Sequence, residues 1–116
     1  MSDQTRPLSI DTQQRGQAVL VSLRGSVSIS QADVLRAKME ELASRATRTI
    51  VIDLGDMDFI CSAGLGAIIS GHLKSRHHNG RICLANPQPA VRQLLETTRL
   101  TKLFGVYETV EEAMKS

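Results

Sequence analysis

The chain has 116 residues, a formal net charge of +2 and 41% hydrophobic residues, with no tryptophan, one tyrosine and two phenylalanines. This length fits one domain with its own core, built from aliphatic side chains, and the mild, evenly spread charge argues against a nucleic-acid-binding protein. No apolar run approaches the ~20 residues of a membrane span, and two cysteines without a signal peptide are typical of a reducing compartment. We therefore expect a single cytoplasmic domain over residues 1–116, with residues 1–7 mobile.

The first part of the chain predicts two strands and a helix. The strands are expected over 8–16 and 17–25, the second of them apolar on both faces and ended by Gly25. Apolar residues at helical spacing then predict a helix over 30–46, with Ser30 as its N-cap.

The middle of the chain predicts a central strand and a second helix. The β-branched run at 48–54 is typical of a buried strand, and Asp56 and Asp58 are expected in the loop that follows it. A helix is expected to begin near Ala63 and to end at an Asn-Gly pair. Four apolar side chains are predicted to pack it against the sheet: Leu65, Ile68, Ile69 and Leu73.

The last third predicts four more elements, namely a strand over 81–86, a helix over 87–98, a short strand at 106–107 and a helix over 109–116. Thr109 is the expected N-cap of the final helix, with Glu112 completing a capping box. The β-β-α-β-α-β-α-β-α order favours a parallel core of strands with one antiparallel neighbour. The fold class is therefore α/β, a small mixed sheet with helices packed on it.

One segment combines a thiol, a hydroxyl and two glycines just before a helix: Asp58-Phe59-Ile60-Cys61-Ser62-Ala63-Gly64-Leu65-Gly66. Ser62 is a predicted N-cap, because serine accepts hydrogen bonds from first-turn N–H groups. The same position also suits a phosphate, since a helix N-terminus offers unpaired N–H groups and partial positive charge. From the residues alone, a structural cap and a regulatory phosphorylation site are equally supported.

Other chemistry has weaker support in the sequence. Cys61 and Cys83 are too far apart for a C-x-x-C motif, and no phosphate-binding glycine motif is complete. A metal site could draw only on these thiols and on three histidines, which are His72, His77 and His78. We predict no cofactor, no metal and no catalytic residue. A reactive Cys61 thiol at a helix N-terminus is the enzymatic alternative, and a small buried residue is its simpler interpretation.

Residues 50–104, beginning IVIDLGDMDFICSAGLG and continuing through NGRICLANPQPAVRQLLETT, resemble the STAS domains of bacterial anti-sigma factor antagonists. In that family a hydrophobic strand ends in Asp-Leu, a short loop follows, and Asp-Ser-Ser/Thr-Gly-Leu-Gly opens a helix. The likeness extends over nearly the whole chain and is weakest at the N-terminus. It implies a mixed sheet of four to five strands with about four helices docked mainly on one face.

The resemblance also implies a function and a set of site residues. The family serine that matches Ser62 is phosphorylated by a partner kinase of the histidine-kinase-like ATPase type, which is also the anti-sigma factor. A PP2C-type phosphatase removes the phosphate, so the protein would be a substrate and not an enzyme. The implied partner-binding surface consists of Ser28, Asp58, Cys61, Ser62, Ala63, Gly64, Leu65 and Gly66.

The site departs from the family pattern at three positions. Cys61 replaces the Asp before the serine, Ala63 replaces a Ser or Thr, and Ser28 replaces an acid. The Ser-Ala-Gly-Leu sequence also resembles STAS subunits of bacterial lipid transporters, which bind an ATPase without being phosphorylated. The alternative function is therefore a constitutive adaptor or scaffold, bound to a transporter ATPase or within a stress-signalling complex.

Overall fold

Strands and helices alternate through the computed structural model, which describes residues 6–45 and 49–116. The elements are β1 (Ser9–Arg15), β2 (Ala18–Val27), α1 (Ile29–Ala43), β3 (Thr49–Ile60), α2 (Ser62–His77), β4 (Arg81–Ala85), α3 (Pro89–Thr97), a 3-10 turn (Leu100–Lys102), β5 (Gly105–Tyr107) and α4 (Val110–Lys115). Their predicted order and type are confirmed. Within the described ranges, no helix is both long enough and apolar enough to cross a bilayer.

The strands form one sheet in the order β1-β2-β3-β4-β5. β1 is antiparallel to β2, and every other neighbouring pair is parallel. Parallel neighbours need a crossover, and α1, α2 and α3 each provide one. The carboxyl ends of β2 and β3 therefore meet at the same edge of the sheet, and α1 and α2 both begin there.

Most of the core lies on one face of the sheet, beneath α1, α2 and α3. Its fully buried members include Leu35 and Met39 of α1 and Ile50 and Ile52 of β3. On the opposite face lies α4, and a small cluster of buried residues forms beneath it: Leu20, Val51, Cys83, Ala85 and Ala113. The predicted mixed sheet with helices mainly on one face is therefore confirmed.

β2 is longer than predicted, and Gly25 does not end it. The strand continues to Val27, and its pairing with β3 shifts register between Gly25 and Ser26. Gly25 has a positive φ of 88°, and a Cβ there would lie 2.3 Å from the carbonyl oxygen of Pro7. This glycine is needed because the chain entering β1 passes directly over β2.

β3 is also longer than predicted, so Asp56 and Asp58 lie in a strand and not in a loop. The segment pairs with the extended part of β2, where Val27 lies opposite Ile60. Met57 is fully buried between the two aspartates and anchors the extension in the core. The glycine and acids suggested a turn, but pairing and burial keep the backbone extended.

Two predicted helix details are wrong. α1 begins at Ile29 with Ser28 as its N-cap, so Ser30 is already helical, and Ala46 lies outside the described residues. In α2, Leu73 does not pack on the sheet, because 53% of its surface is exposed. Gly71 takes the inward position, and a Cβ on it would lie 2.9 Å from Met39 Cβ. Leu73 therefore lies outside the buried face, whose members in the second half of the helix are Gly71, His72 and Ser75.

The ends of the domain show smaller differences. α3 begins at Pro89 and not at 87, because Gln88 is extended and serves as the N-cap. The predicted cap of α4 is confirmed, since the Glu112 N–H donates to Thr109 Oγ1 at 3.1 Å. The expected mobility of residues 1–7 stays a prediction: residues 1–5 lie outside the described ranges, and the carbonyl of Arg6 accepts a hydrogen bond from the Ser26 N–H at 3.1 Å.

Candidate functional site

Two helices begin side by side at the carboxyl edge of the sheet. Val27 and Ile60 are paired as the last residues of β2 and β3, and the Cys61 N–H donates to the Val27 carbonyl at 2.9 Å. The N-caps Ser28 and Cys61 follow these two strands directly. The partially positive N-terminal ends of α1 and α2 therefore lie next to each other.

The start of α2 has no side chain that caps it. Its N-cap is Cys61, whose backbone is extended (φ −82°, ψ 171°) and whose side chain accepts no hydrogen bond from the first turn. Ser62 is the first helical residue, so its predicted role as N-cap is wrong. The reason is that the extended backbone of β3 continues through Cys61, and an N-cap must be non-helical. Ser62 is exposed, and no acid lies in the first turn.

The start of α1 is similar. Its N-cap Ser28 makes no side-chain cap bond, and its first turn also lacks an acid. Ser28 Oγ instead lies 3.0 Å from Ser30 Oγ, within hydrogen-bond distance. Both helix starts therefore present first-turn N–H groups without a side-chain acceptor, in a part of the surface that favours negative charge.

Two of the predicted site residues face inward. A Cβ on Gly64 would lie 2.7 Å from Val27 Cγ1 and 2.8 Å from Ile60 Cγ1, and Leu65 is only 9% exposed. The first turn of α2 therefore packs tightly on the ends of β2 and β3. Gly64 and Leu65 shape the site from inside and offer little side-chain surface to a partner. Gly66 faces α1, since the atom nearest to its missing Cβ is Arg36 Nη2, at 3.9 Å.

Asp58 is already engaged within the protein. The Arg6 guanidinium donates to both of its carboxylate oxygens, at 2.8 Å and 3.1 Å, and also to the Asp56 carbonyl at 2.7 Å. Hydrogen bonding to Arg6 holds the pKa of Asp58 below its usual value. The predicted site acid is therefore ionised and paired with a cation from the chain just before β1.

Two exposed apolar side chains flank the site. Ile29, the first residue of α1, is 78% exposed, and Phe59, next to the last residue of β3, is 53% exposed. Phe59 pairs with Ser26 in the sheet, only three residues before Ile29. Neither residue belongs to the predicted partner-binding set, although Phe59 lies in the segment singled out in the sequence and is one of only two phenylalanines in the chain. Aromatic side chains are enriched at protein interfaces, which makes Phe59 a candidate contact residue.

The remaining candidate ligands do not assemble. His72 is 3% exposed, its Nδ1 accepts a hydrogen bond from the Ile82 N–H at 3.2 Å, and its ring meets Phe104 edge-on at 5.0 Å. Burial, and secondarily the charge of Arg76, lower the pKa of His72, which favours the neutral ring. Cys83 is buried and Cys61 half-buried, and both are free thiols. Over the described ranges, no three His, Cys, Asp or Glu side chains are grouped as metal ligands.

The candidate site is thus an uncapped helix start with an exposed serine, at an edge of the sheet that also carries exposed apolar side chains. The chain belongs to the STAS domain family, which it matches over residues 9–113. It is 30% identical over 95 residues to BtrV of Bordetella bronchiseptica, assigned as an anti-sigma factor antagonist, with 82% of each chain covered. It is 26% identical over 108 residues to the anti-sigma F factor antagonist of Paenibacillus polymyxa, with 92% of each covered.

Solved structures share the fold. An anti-sigma factor antagonist from Mycobacterium paratuberculosis superposes with a TM-score of 0.85 at 23% identity, covering 94% of this chain and 92% of that one. The phosphorylated form of the Bacillus cell fate determinant SpoIIAA superposes with a TM-score of 0.72 at 22% identity, covering 92% and 97%. These likenesses confirm the architecture that the sequence resemblance implied.

Proposed function

We propose that this protein is an anti-sigma factor antagonist that acts by partner switching in the cytoplasm. In its unphosphorylated form it binds an anti-sigma factor, a serine kinase of the histidine-kinase-like ATPase type, and so releases the sigma factor. That kinase phosphorylates Ser62 and ends the complex, and a PP2C-type phosphatase reverses the modification. The protein is a substrate and a binding partner in this cycle, not a catalyst. The observation that carries the proposal is an exposed hydroxyl on the first residue of an uncapped, acid-free helix.

The fold tolerates a phosphate at this position. Phosphorylation of Ser62 adds about −2 charge, and the start of α2 has neither a capping side chain nor an acid to oppose it. The dipole of α2 favours such a charge by ~0.3–1 kcal/mol, and the adjacent start of α1 has the same polarity. We therefore expect phosphorylated and unphosphorylated protein to be folded equally well.

The surrounding surface explains why the same phosphate ends binding. The exposed apolar side chains of Ile29 and Phe59 belong to the same edge of the sheet as Ser62, and in this proposal they supply the apolar part of the interface, which excludes water when a partner docks. A phosphate within that interface loses its hydration, and burying a charge without a partner costs several kcal/mol. Since each ~1.4 kcal/mol changes affinity tenfold, phosphorylation weakens binding by orders of magnitude.

Ala63 leaves Ser62 as the single hydroxyl of its motif. The family pattern places a second hydroxyl after the serine, and Ala63 removes that competing acceptor. Ser30 is the nearest alternative, because it is exposed and lies in the first turn of the neighbouring α1. Incubation with ATP and the ATPase encoded near this protein, followed by mass spectrometry, should place the phosphate on Ser62 and not on Ser30.

A binding titration against the same ATPase tests the switch. Wild type and Ser62→Ala should bind with similar affinity, phosphorylated protein should bind orders of magnitude more weakly, and Ser62→Asp should lie between them. Gln17→Glu is the matched control, since it adds one negative charge at the turn between β1 and β2, at the opposite edge of the sheet. Equal affinity of all forms would reject the switch and leave a constitutive adaptor, such as a transporter ATPase would require.

A further inference from the structure

Arg36 of α1 lies along the stripe of α2 that leads to Ser62. Its Nη1 donates to Ser70 Oγ at 3.1 Å, and its Nη2 lies 3.9 Å from the place where a Cβ on Gly66 would be. Ser62, Gly66 and Ser70 are four residues apart and so form one row on the helix surface. The half-buried guanidinium therefore lies beside Gly66 and Ser70, in the same row that begins with Ser62, the proposed phosphorylation site.

Among the residues that the structure describes, Arg36 enters no ion pair, although Asp33 and Glu40 lie about one turn away on the same helix. α2 itself carries no acidic residue between Ser62 and His77. A guanidinium has five N–H donors, so a single serine hydroxyl leaves most of its hydrogen-bonding capacity for another acceptor.

Resting on the proposed phosphorylation of Ser62, we propose that Arg36 is the intramolecular receptor of that phosphate. When Ser62 is phosphorylated, the guanidinium leaves the hydroxyl of Ser70 and binds the phosphate oxygens. The exchange replaces a neutral acceptor by a doubly charged one, and charge-assisted hydrogen bonds are roughly twice as strong as neutral ones. The phosphate is then held over the boundary between α1 and α2 instead of rotating freely in solvent.

The geometry favours this movement. Arg36 now contacts Ser70. Side chains on a helix tend to lean toward its N-terminus, and α1 and α2 begin at the same edge of the sheet, so α1 also allows Arg36 a rotamer directed toward the start of α2. Gly66 has no side chain to block the path. The guanidinium lies between Ser70 and Gly66, and from Gly66 to Ser62 the helix rises about 6 Å. The phosphoserine side chain covers part of that distance. A change of the Arg36 rotamer covers the rest.

The test uses protein in which phosphoserine is incorporated at position 62 during synthesis, so that no kinase is required. A ³¹P NMR titration then measures the second pKa of the phosphate, which is about 6 when unperturbed. We expect this pKa to be about half a unit or more higher in Arg36→Gln than in the otherwise wild-type protein, because a nearby cation favours the dianion. Lys74→Gln is the control, since it removes the same charge near the far end of α2 and should leave the pKa unchanged.

A second variant keeps the guanidinium and blocks its path. Gly66→Leu places a side chain where Arg36 Nη2 now lies and should raise the phosphate pKa as Arg36→Gln does. It also serves if Arg36→Gln does not fold. Equal phosphate pKa values in wild type, Arg36→Gln and Gly66→Leu would overturn the proposal, as would a shift of the same size in Lys74→Gln.

The two proposals fail in different ways. If phosphoserine at position 62 abolishes binding to the ATPase but Arg36→Gln leaves the phosphate pKa unchanged, Arg36 is not the phosphate receptor and partner switching is retained. If the phosphate pKa depends on Arg36 but phosphoserine leaves binding unchanged, Arg36 is the phosphate receptor and partner switching is wrong.

Discussion

Two helix N-termini of this protein are built in opposite ways. At the start of α4, Thr109 Oγ1 accepts a hydrogen bond from the Glu112 N–H, and Glu111 and Glu112 place two carboxylates in the first turn. At the start of α2, Cys61 offers no capping bond and the first turn has no acid. The difference is between an end closed by its own side chains and an end that leaves its N–H groups and partial positive charge available.

The lengths of the two helices explain why α4 needs a capped start and α2 does not. α4 has only six residues and packs on a small cluster, so it depends on its cap. α2 has 16 residues and is anchored along its length, where Ile68 and His72 are each 3% exposed. The body of α2 therefore stabilises the helix without a capping side chain at its start.

The largest expected effect tests whether the body of α2 anchors it. Ile68→Asp buries an unpaired carboxylate against the sheet and should lower the free energy of unfolding by about 3–5 kcal/mol. Leu73→Asp is the matched control in the same helix, because Leu73 is 53% exposed, and its effect should stay within about 0.5 kcal/mol. Denaturant unfolding measures both, and an unchanged midpoint for Ile68→Asp would show that α2 is not held through this face.

The next prediction compares the two helix starts directly. Thr109→Ala removes the capping bond of α4 and should destabilise the protein by about 1 kcal/mol. Ser62→Ala removes a hydroxyl that makes no capping bond, so its effect should be within about 0.5 kcal/mol. Thermal melts of both variants decide the point, and a larger loss for Ser62→Ala than for Thr109→Ala would reverse the comparison.

The third prediction adds a capping side chain to the start of α2. Cys61→Asp supplies both a capping oxygen and a negative charge at the start of α2, and should stabilise the protein by about 0.5–1 kcal/mol. Cys61→Ser supplies the oxygen alone and should give a smaller gain, with partner binding largely retained. Unfolding at low and high salt separates the two contributions, because only the charge is screened. A loss of stability with Asp would show that the first-turn N–H groups of α2 are not available to an acid.

The sequence predicted the elements better than their ends. Hydrophobic periodicity was sufficient for the order of strands and helices, because burial repeats along each element. The extension of β3 through Asp56 and Asp58 was missed, since glycine and acids locally favour a turn and only pairing with β2 keeps them extended. The resemblance identified the position of Ser62, but local preference placed it in the N-cap, one residue too early in the helix. The exposure of Phe59 depends on which parts of the sheet the helices cover, and a local sequence pattern does not predict this.

The smallest expected effect concerns Asp58, the acid that precedes the uncapped start of α2. Asp58 lies four residues before Ser62, and its pair with Arg6 neutralises the carboxylate nearest to that site along the chain. Both side chains are well exposed, so Arg6→Gln should lower the melting temperature only slightly, and less at high salt. Arg24→Gln is the control, because Arg24 lies 3.8 Å from Asp56 in a looser pair and should matter less.

The pH dependence of that small effect has a defined sign. Hydrogen bonding to Arg6 lowers the pKa of Asp58 in the folded protein below its unfolded value of about 3.9. The stabilisation is therefore complete above the unfolded pKa and disappears as the pH falls through the folded pKa. Melting curves of wild type and Arg6→Gln should differ near neutral pH and converge in acid. A difference that persists unchanged below both pKa values would mean that Arg6 acts through its bond to the Asp56 carbonyl, and not through the charge of Asp58.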